Sequence, residues 1–169
     1  MRLDRVEGRL RDLESACRAA GARVTHQRRE VLRAVVETDS HPDAQAVLQR
    51  VREHMPTISF DTVYRTLSFL EKCGLIHRVA ATGERARFDG NHALHHHFIC
   101  TECGKIIDFE SARFDAIDLP EEVGEFGTAK TQQLQVFGIC RDCETRREGT
   151  DDGQRKGKAA DDGGGNPRR

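Results

Sequence analysis

The chain has 169 residues, of which 37% are hydrophobic and 33% are charged. This length suits one large domain or two small ones. No apolar run reaches the about 20 residues that a membrane helix requires, and the opening segment, MRLDRVEGRL, lacks the apolar stretch of a signal peptide. We therefore expect a cytoplasmic protein that does not contact membranes and whose cysteines are reduced.

Charge is unevenly distributed along the chain, although the net charge is only −1. Residues 1–80 carry 14 basic and 11 acidic side chains, residues 81–145 carry 6 and 12, and residues 146–169 carry 7 and 5. A basic first half followed by an acidic middle predicts that these two parts of the chain bind different partners, and that the basic half can bind a polyanion.

Four amphipathic helices are predicted in the first half of the chain, because apolar residues recur there at three- and four-residue steps. The first helix ends near Gly21, and Thr25 can cap the second. Pro42 lies in the first turn of the third helix. Ser59 caps the fourth helix, which Gly74 ends.

Two short segments with alternating apolar residues, Leu75–Ala81 and Arg85–Asp89, follow the fourth helix and are joined by a Thr82-Gly83 turn. They predict a β-hairpin. Helices followed by a two-stranded wing are typical of a winged helix-turn-helix domain, in which the fourth helix is the recognition helix. The alternative is a small helical domain that does not bind DNA.

The second half of the chain has a mixed pattern. Strands are predicted over His95–Cys100, Lys105–Phe109 and Gln133–Ile139, and a helix over Ala112–Leu119. Gly, Asp, Lys and Arg dominate residues 146–169, which are therefore predicted to form a disordered tail. The predicted fold class is α+β.

Four cysteines form two CxxC motifs, Cys100-Thr-Glu-Cys103 and Cys140-Arg-Asp-Cys143, which are separated by 36 residues. A CxxC turn presents two thiolates to one ion, and two such turns complete the closed tetrahedral shell of structural zinc. We therefore predict one structural Zn2+ ion per chain. Redox-active CxxC motifs or buried thiols are the alternative.

Histidines and aspartates form a second candidate metal site. His95 and His97 alternate along one predicted strand, so both point to the same face, whereas His96 points to the other. Asp108 lies on the strand that returns past this pair, and Asp89 ends the wing. A ligand set of nitrogen and oxygen atoms favours Fe2+, Mn2+ or Zn2+. Surface histidines that bind no metal are the alternative.

Four segments of the chain resemble the ferric uptake regulator (Fur) family of bacterial metal-dependent repressors: DTVYRTLSFLEKCGLIHRV, RFD, HHHFICTECGKIIDF and FGICRDC. The resemblance extends over about residues 20–145. It implies a homodimer with a winged-helix DNA-binding domain, here residues 1–86, followed by a hinge and a small α/β dimerisation domain, here residues 87–145. The four-cysteine zinc site would lie in the dimerisation domain.

The resemblance also implies a regulatory metal site at the hinge. Its five ligands fall on His41, Asp89, His95, His97 and Asp108. His41 is included because of the resemblance alone. One Fe2+ or Mn2+ ion bound to all five would clamp the two domains at a fixed angle and set the spacing of the two recognition helices in the dimer.

The two carboxylate ligands distinguish branches of the family. Peroxide-responsive repressors have aspartate at the positions of Asp89 and Asp108, whereas iron-responsive members usually have glutamate. Zinc-responsive members place a cysteine in this site, and haem-responsive members lack the two CxxC motifs. The resemblance therefore implies a repressor in which Fe2+ reacts with hydrogen peroxide, His41 and His95 are oxidised, and DNA is released. An iron-sensing repressor of iron uptake is the alternative.

A further metal site of some relatives would fall on Leu94, His96, Asp115 and Gln132. Two of these four residues are not normal metal ligands, so we predict that this third site is absent. The predicted cofactors are therefore one Zn2+ ion and one Fe2+ or Mn2+ ion per chain.

The predicted partner is a palindromic operator in double-stranded DNA. Tyr64 and Arg65 lie at the exposed start of the predicted recognition helix, where they can contact bases or phosphate. Thr62, Arg28 and Arg23 are predicted to contact the DNA backbone. A metalloenzyme with two histidines and one carboxylate is an alternative, but the sequence has no HExxH motif and that reading gives the winged helix no role. We therefore predict that the protein is not an enzyme.

Overall fold

The computed structural model describes residues 2–79, 85–129 and 132–147. In chain order the elements are α1 (Arg2–Ala19), α2 (His26–Val36), α3 (Ala44–Arg52), α4 (Phe60–Lys72), β1 (His77–Val79), β2 (Arg87–Asp89), β3 (His96–Cys100), β4 (Ile106–Phe109), α5 (Ala112–Asp115), α6 (Glu122–Phe126), β5 (Gln135–Gly138) and α7 (141–147). The predicted turn at residues 82–83 and all but two residues of the predicted tail lie outside the described ranges. Within those ranges, every helix is too short or too polar to cross a bilayer.

Side-chain caps define the starts of three helices in the first half. The hydroxyls of Thr25 and Ser59 accept hydrogen bonds from backbone N–H groups in the first turns of α2 and α4, as predicted. The start of α3 differs from the prediction, because Asp43 is its cap and accepts from a backbone N–H at 2.8 Å. Pro42 lies before this cap, where its carbonyl accepts from the backbone N–H of Phe88 in the wing at 3.0 Å.

The first four helices enclose one apolar core. α2 contacts α1, α3 and α4, and α3 also contacts α4. Leu13, Val31, Leu32 and Leu67 are among the fully buried side chains of this core. The wing strands β1 and β2 pair in antiparallel register, and Phe88 of β2 joins the core. The first half of the chain therefore forms a winged helix-turn-helix domain, and its wing strand β2 ends at Asp89, three residues beyond the predicted boundary at residue 86.

The second half builds a separate three-stranded sheet in the order β4-β3-β5. β3 pairs antiparallel with β4 and parallel with β5. Since parallel strands need a long connection, the chain between β3 and β5 passes through β4, α5 and α6. The register sets His97 opposite Asp108 on β4, and Cys100 opposite Gly138 on β5. The sheet thus brings together side chains that are distant in the sequence.

The helices of the second half differ from the prediction. The helix predicted over Ala112–Leu119 ends at Asp115, and α6, which the sequence did not predict, follows Pro120. Helical backbone is disfavoured at the residue before a proline, so α5 and α6 do not join into one helix. α7 was not predicted either, and it extends two residues into the segment predicted as the tail.

Candidate metal centres

The four cysteines of the two CxxC motifs converge at one end of the sheet. Cys100 ends β3, and Cys140 follows β5, which lies beside β3. The sulfur–sulfur distance is 3.9 Å between Cys100 and Cys143 and 3.8 Å between Cys103 and Cys140. Four thiolates bound to Zn2+ at about 2.3 Å form a tetrahedron with edges of about 3.8 Å. The cluster, in which all four cysteines are free, therefore has the size of a closed zinc site.

A cation is needed for all four sulfurs to be thiolates together. Backbone N–H groups of Cys103 and Cys140 lower the pKa of the Cys100 thiol to about 6. Burial raises the pKa of the Cys143 thiol to about 12, so that sulfur keeps its proton at neutral pH unless a metal ion replaces it.

Two arginines of α7 support the cysteine cluster. Arg146 donates from its guanidinium to Sγ of Cys143 at 3.0 Å, which favours the thiolate there. Arg147 forms an ion pair with Glu102, inside the first CxxC turn. The sequence analysis missed both arginines, because they lie in the segment predicted as the tail and no motif spacing marks them.

A second cluster lies between the winged-helix domain and the sheet. His41, Asp89, His95 and His97 each bring one ligand atom, and these four atoms lie within 4.8 Å of one another. All four side chains are buried. Oδ1 of Asp108 lies 3.0 Å from Nε2 of His41 and 3.5 Å from Nε2 of His97. The structure therefore brings together all five predicted ligands of the regulatory site.

Both domains contribute to this cluster. His41 lies in the turn before α3, and Asp89 ends the wing strand β2. His95 and His97 point to one side of the sheet, as their alternation predicted, and Asp108 lies opposite His97 on β4. An ion held by these side chains would connect the DNA-binding domain to the sheet.

Buried polar atoms of this cluster lack hydrogen-bond partners. Nε2 of His41 and Oδ1 of Asp108 are 3.0 Å apart, but they do not have the geometry of a hydrogen bond. Leaving such an atom buried and unpaired costs about 1–3 kcal/mol. Because ligand atoms of Asp89, His95 and His97 also lie close to Nε2 of His41, the arrangement fits a bound cation.

Hydrogen bonding determines which ring nitrogen of His95 faces the cluster. Nδ1 lies 2.7 Å from the carbonyl oxygen of Ala93, which can only accept, so Nδ1 carries the proton. Nε2 therefore faces the cluster, 3.0 Å from Oδ2 of Asp89 and 3.0 Å from Nε2 of His97. Burial opposes ionisation of Asp89, but His97 and the backbone N–H of Asn91 outweigh burial and hold its pKa below the usual value. This carboxylate is thus anionic at neutral pH.

The four residues of the third site do not form a metal cluster. Nδ1 of His96 accepts from the backbone N–H of Leu134 at 3.2 Å, and Nε2 lies 3.0 Å from Oδ1 of Asp115 without forming a hydrogen bond, so only two ligand residues meet here. Gln132 donates its amide nitrogen to two backbone carbonyls, and the Leu94 side chain is exposed. Within residues 2–79, 85–129 and 132–147, only the two clusters described above bring together three or more ligand side chains.

Most of the predicted DNA contacts are accessible. Tyr64 and Arg65 are exposed on the first half of α4, and Thr62 lies beside its cap. Arg23 is exposed before α2. Arg28 is occupied, because its guanidinium stacks 3.8 Å from the centre of an aromatic ring on α4 and donates to the carbonyl of Arg23. It is therefore less free to reach a phosphate than the sequence predicted.

Comparison with known proteins identifies the family of this chain. The profile of the Ferric uptake regulator family matches residues 19–137. The chain belongs to the ferric uptake regulator family. Its members are transcription regulators rather than enzymes.

The relatives that this chain resembles include both peroxide-responsive repressors and ferric uptake regulators. The chain is 30% identical over 143 residues to the "Peroxide-responsive repressor PerR" of Staphylococcus epidermidis, covering 84% of this chain and 95% of that protein. The ferric uptake regulator of Francisella tularensis with iron is 28% identical, with a TM-score of 0.60 over 73% of this chain and 96% of that one. The Helicobacter pylori ferric uptake regulator Fur shares the fold, with a TM-score of 0.67 at 24% identity over 82% of this chain and 93% of that one.

Replacing Cys143 by serine should remove the zinc ion and leave the protein unfolded or monomeric, because structural zinc contributes folding energy directly. Cys73→Ser is the matched control, since Cys73 follows α4 and lies outside the cluster. Metal analysis gives the zinc content per chain, and size-exclusion chromatography gives the state of assembly. A folded Cys143→Ser dimer without zinc would contradict the assignment.

Proposed function

We propose that the protein is a metal-dependent transcriptional repressor that senses hydrogen peroxide and then releases its operator. Fe2+ or Mn2+ would bind to His41, Asp89, His95, His97 and Asp108, and Zn2+ to the four cysteines. The observation that carries the proposal is that the two carboxylates beside the three buried histidines both belong to aspartates, Asp89 and Asp108. The 30% sequence identity to the Staphylococcus epidermidis repressor supports membership in the peroxide-responsive branch.

The regulatory ligands would couple metal binding to DNA binding through the angle between the domains. His41 and Asp89 belong to the winged-helix domain, whereas the other three ligands belong to the sheet. Only the closed arrangement of the domains offers all five ligands to one ion, so the ion stabilises that arrangement by its higher affinity for it. In a dimer, this fixes the distance between the two recognition helices.

Peroxide would act on the ligands themselves. Fe2+, when bound, would relay electrons from an imidazole to hydrogen peroxide as its O–O bond splits. Overall, one oxygen of peroxide is added to an imidazole carbon and the other leaves as water, so peroxide is the two-electron oxidant and the histidine is the reductant. His41 and His95 are the proposed targets, because they fall on the positions that the resemblance to peroxide sensors implies are oxidised; both are buried members of the cluster. An oxidised ring no longer serves as a ligand, and the clamp opens.

The DNA surface would be the exposed side of α4 and the segment before α2. Tyr64 and Arg65 are the proposed contacts in the major groove, with Thr62 and Arg23 at the phosphates. Arg28 would contact a phosphate only after its guanidinium leaves the ring on α4. Two such helices in a dimer would enter successive major grooves of a palindromic operator. Binding to such an operator would require the protein to be in the bacterial cytoplasm.

A homodimer is supported by apolar side chains that the second half of the chain leaves exposed. Phe126 on α6 is 86% exposed and Phe137 on β5 is 52% exposed. Further exposed apolar residues of this half are Ile107, Ile117 and Leu119. A second copy of the chain would cover such side chains, which otherwise leave apolar area in water.

An iron-sensing repressor of iron uptake is the second candidate. The similarity to the Francisella tularensis regulator, whose structure was determined with iron, favours it. The two candidates share the fold, both metal clusters and the DNA surface. They differ in whether peroxide changes the protein, so the response to peroxide separates them.

In Fe2+-loaded protein, hydrogen peroxide should add one oxygen to each of the peptides that carry His41 and His95, as measured by mass spectrometry. Mn2+-loaded protein should show no such gain. Asp108→Glu should suppress the gain but keep metal-dependent DNA binding, because the longer side chain shifts the carboxylate and changes the open face of the ion. The cysteines should stay unmodified, since a metal-bound thiolate is a poorer target than a free one.

Two results would contradict this mechanism. Release of DNA with unmodified histidines and new disulfides would identify the thiols as the sensor. A lack of any response in the iron-loaded form would favour the iron-sensing repressor.

Replacing Arg65 by alanine should weaken operator binding by about 1–3 kcal/mol and relax sequence preference, because a guanidinium can read a base edge. Arg113→Ala is a matched control, since Arg113 is exposed on α5, away from the DNA surface. Fluorescence anisotropy with operator and random duplexes measures both variants. Equal losses on all sequences would make Arg65 a phosphate contact, and no loss would contradict the assignment of α4.

A further inference from the structure

His41 has the least favourable backbone conformation of the five regulatory ligands. Its φ angle is 48°, and it is the only residue other than glycine with a positive φ among those the structure describes. The left-handed region is disfavoured for residues with a Cβ atom, so contacts from the surrounding structure must hold it. The imidazole itself makes no hydrogen bond through either ring nitrogen.

Arg87 on β2 provides these contacts. Its guanidinium donates from Nε to the carbonyl oxygen of His41 and from Nη2 to the carbonyl oxygen of Ser40 at 2.8 Å. A planar guanidinium can donate to two neighbouring carbonyl oxygens at once with fixed geometry, whereas a lysine ammonium group lacks that fixed pair of donors. The backbone N–H of Phe88 extends the contact by donating to the carbonyl of Pro42 at 3.0 Å.

The same strand carries the second ligand from the winged-helix domain. Arg87 and Asp89 are two residues apart on β2, so they lie on the same face of the strand. Nε2 of His41 lies 3.9 Å from Oδ1 of Asp89. Arg87 therefore fastens the turn that bears one ligand to the strand that bears the other.

We propose that Arg87 is a positioning residue for the regulatory metal, which holds the turn at residues 40–41 in the conformation that brings His41 to the ion. Without this guanidinium the turn relaxes and the imidazole leaves the cluster, while the other four ligands remain. The inference rests on the proposed function only in that a divalent cation occupies this cluster.

Titration of the zinc-loaded, full-length protein with Mn2+ tests the proposal. Arg87→Gln should weaken Mn2+ binding about 10- to 100-fold, the usual effect of removing a residue that orients a metal ligand. Arg87→Lys should recover only part of this loss. Arg85→Gln is the control, because Arg85 is exposed and contacts Asp43 rather than the carbonyls of the turn. It should change the affinity by less than about twofold.

A double-mutant cycle with His41→Ala shows whether Arg87 acts through His41. In the His41→Ala protein, adding Arg87→Gln should weaken Mn2+ binding by less than about twofold, because the ligand that Arg87 positions is already gone. Losses that multiply would overturn the proposal, since Arg87 would then act on the site independently of His41. An Arg87→Gln protein with the Mn2+ affinity of the wild type would overturn it as well.

Two further measurements separate positioning from folding and from peroxide sensing. The zinc-loaded Arg87→Gln protein without Mn2+ should keep a cooperative thermal transition. If it does not, the double-mutant cycle with His41→Ala is repeated with Arg87→Lys in place of Arg87→Gln, and that cycle decides whether Arg87 acts through His41. In the iron-loaded form, Arg87→Gln should shift oxidation by peroxide from His41 towards His95. If the wild type binds Mn2+ but neither histidine gains oxygen, the peroxide function fails, whereas the Mn2+ cycle still decides the role of Arg87.

Discussion

The two domains are joined around a group of buried ligand atoms that converge on the position of one cation. Nε2 of His95 is 3.0 Å from a carboxylate oxygen of Asp89, and Nε2 of His41 is 3.0 Å from one of Asp108 without hydrogen-bond geometry. Each of these pairs includes one residue of the winged-helix domain and one of the sheet domain. An ion that binds to all of these atoms therefore stabilises the one arrangement of the domains that brings them together.

The cysteine cluster has a different structural role, because all of its ligands belong to the second half of the chain. It joins the end of β3 to the start of α7 across the parallel pairing of β3 with β5, and its sulfur–sulfur distances fit a closed tetrahedron. Each cluster is open to solvent at one ligand, since Cys103 is exposed and the side chain of Asp108 is 25% exposed, while the other ligands are buried. A small oxidant could therefore approach the regulatory ion beside Asp108, whereas the thiolates have no free coordination position to offer.

The sequence alone predicts those features that depend on neighbouring residues. The alternation along β3 correctly set His95 and His97 on one face, and the two CxxC spacings marked the cysteine cluster. His41 could not be found in this way, because its contact with Asp108 depends on how a turn before α3 is held against the wing; only the family resemblance identified it. The sequence did not identify Arg146. Its contact with the Cys143 sulfur depends on tertiary structure, and the residues around Arg146 have the composition of a disordered tail. The short helices α6 and α7 were missed because few apolar residues mark them.

The most direct test of the account is whether one ion protects both domains at once. Hydrogen exchange can be measured by mass spectrometry on zinc-loaded protein with and without Mn2+. The account predicts that Mn2+ slows exchange both in the turn at residues 40–43 and in β3 and β4, because the ion is held by ligands from each. Protection confined to β3 and β4, with the turn unchanged, would contradict it and show that the sheet holds the ion without the DNA-binding domain.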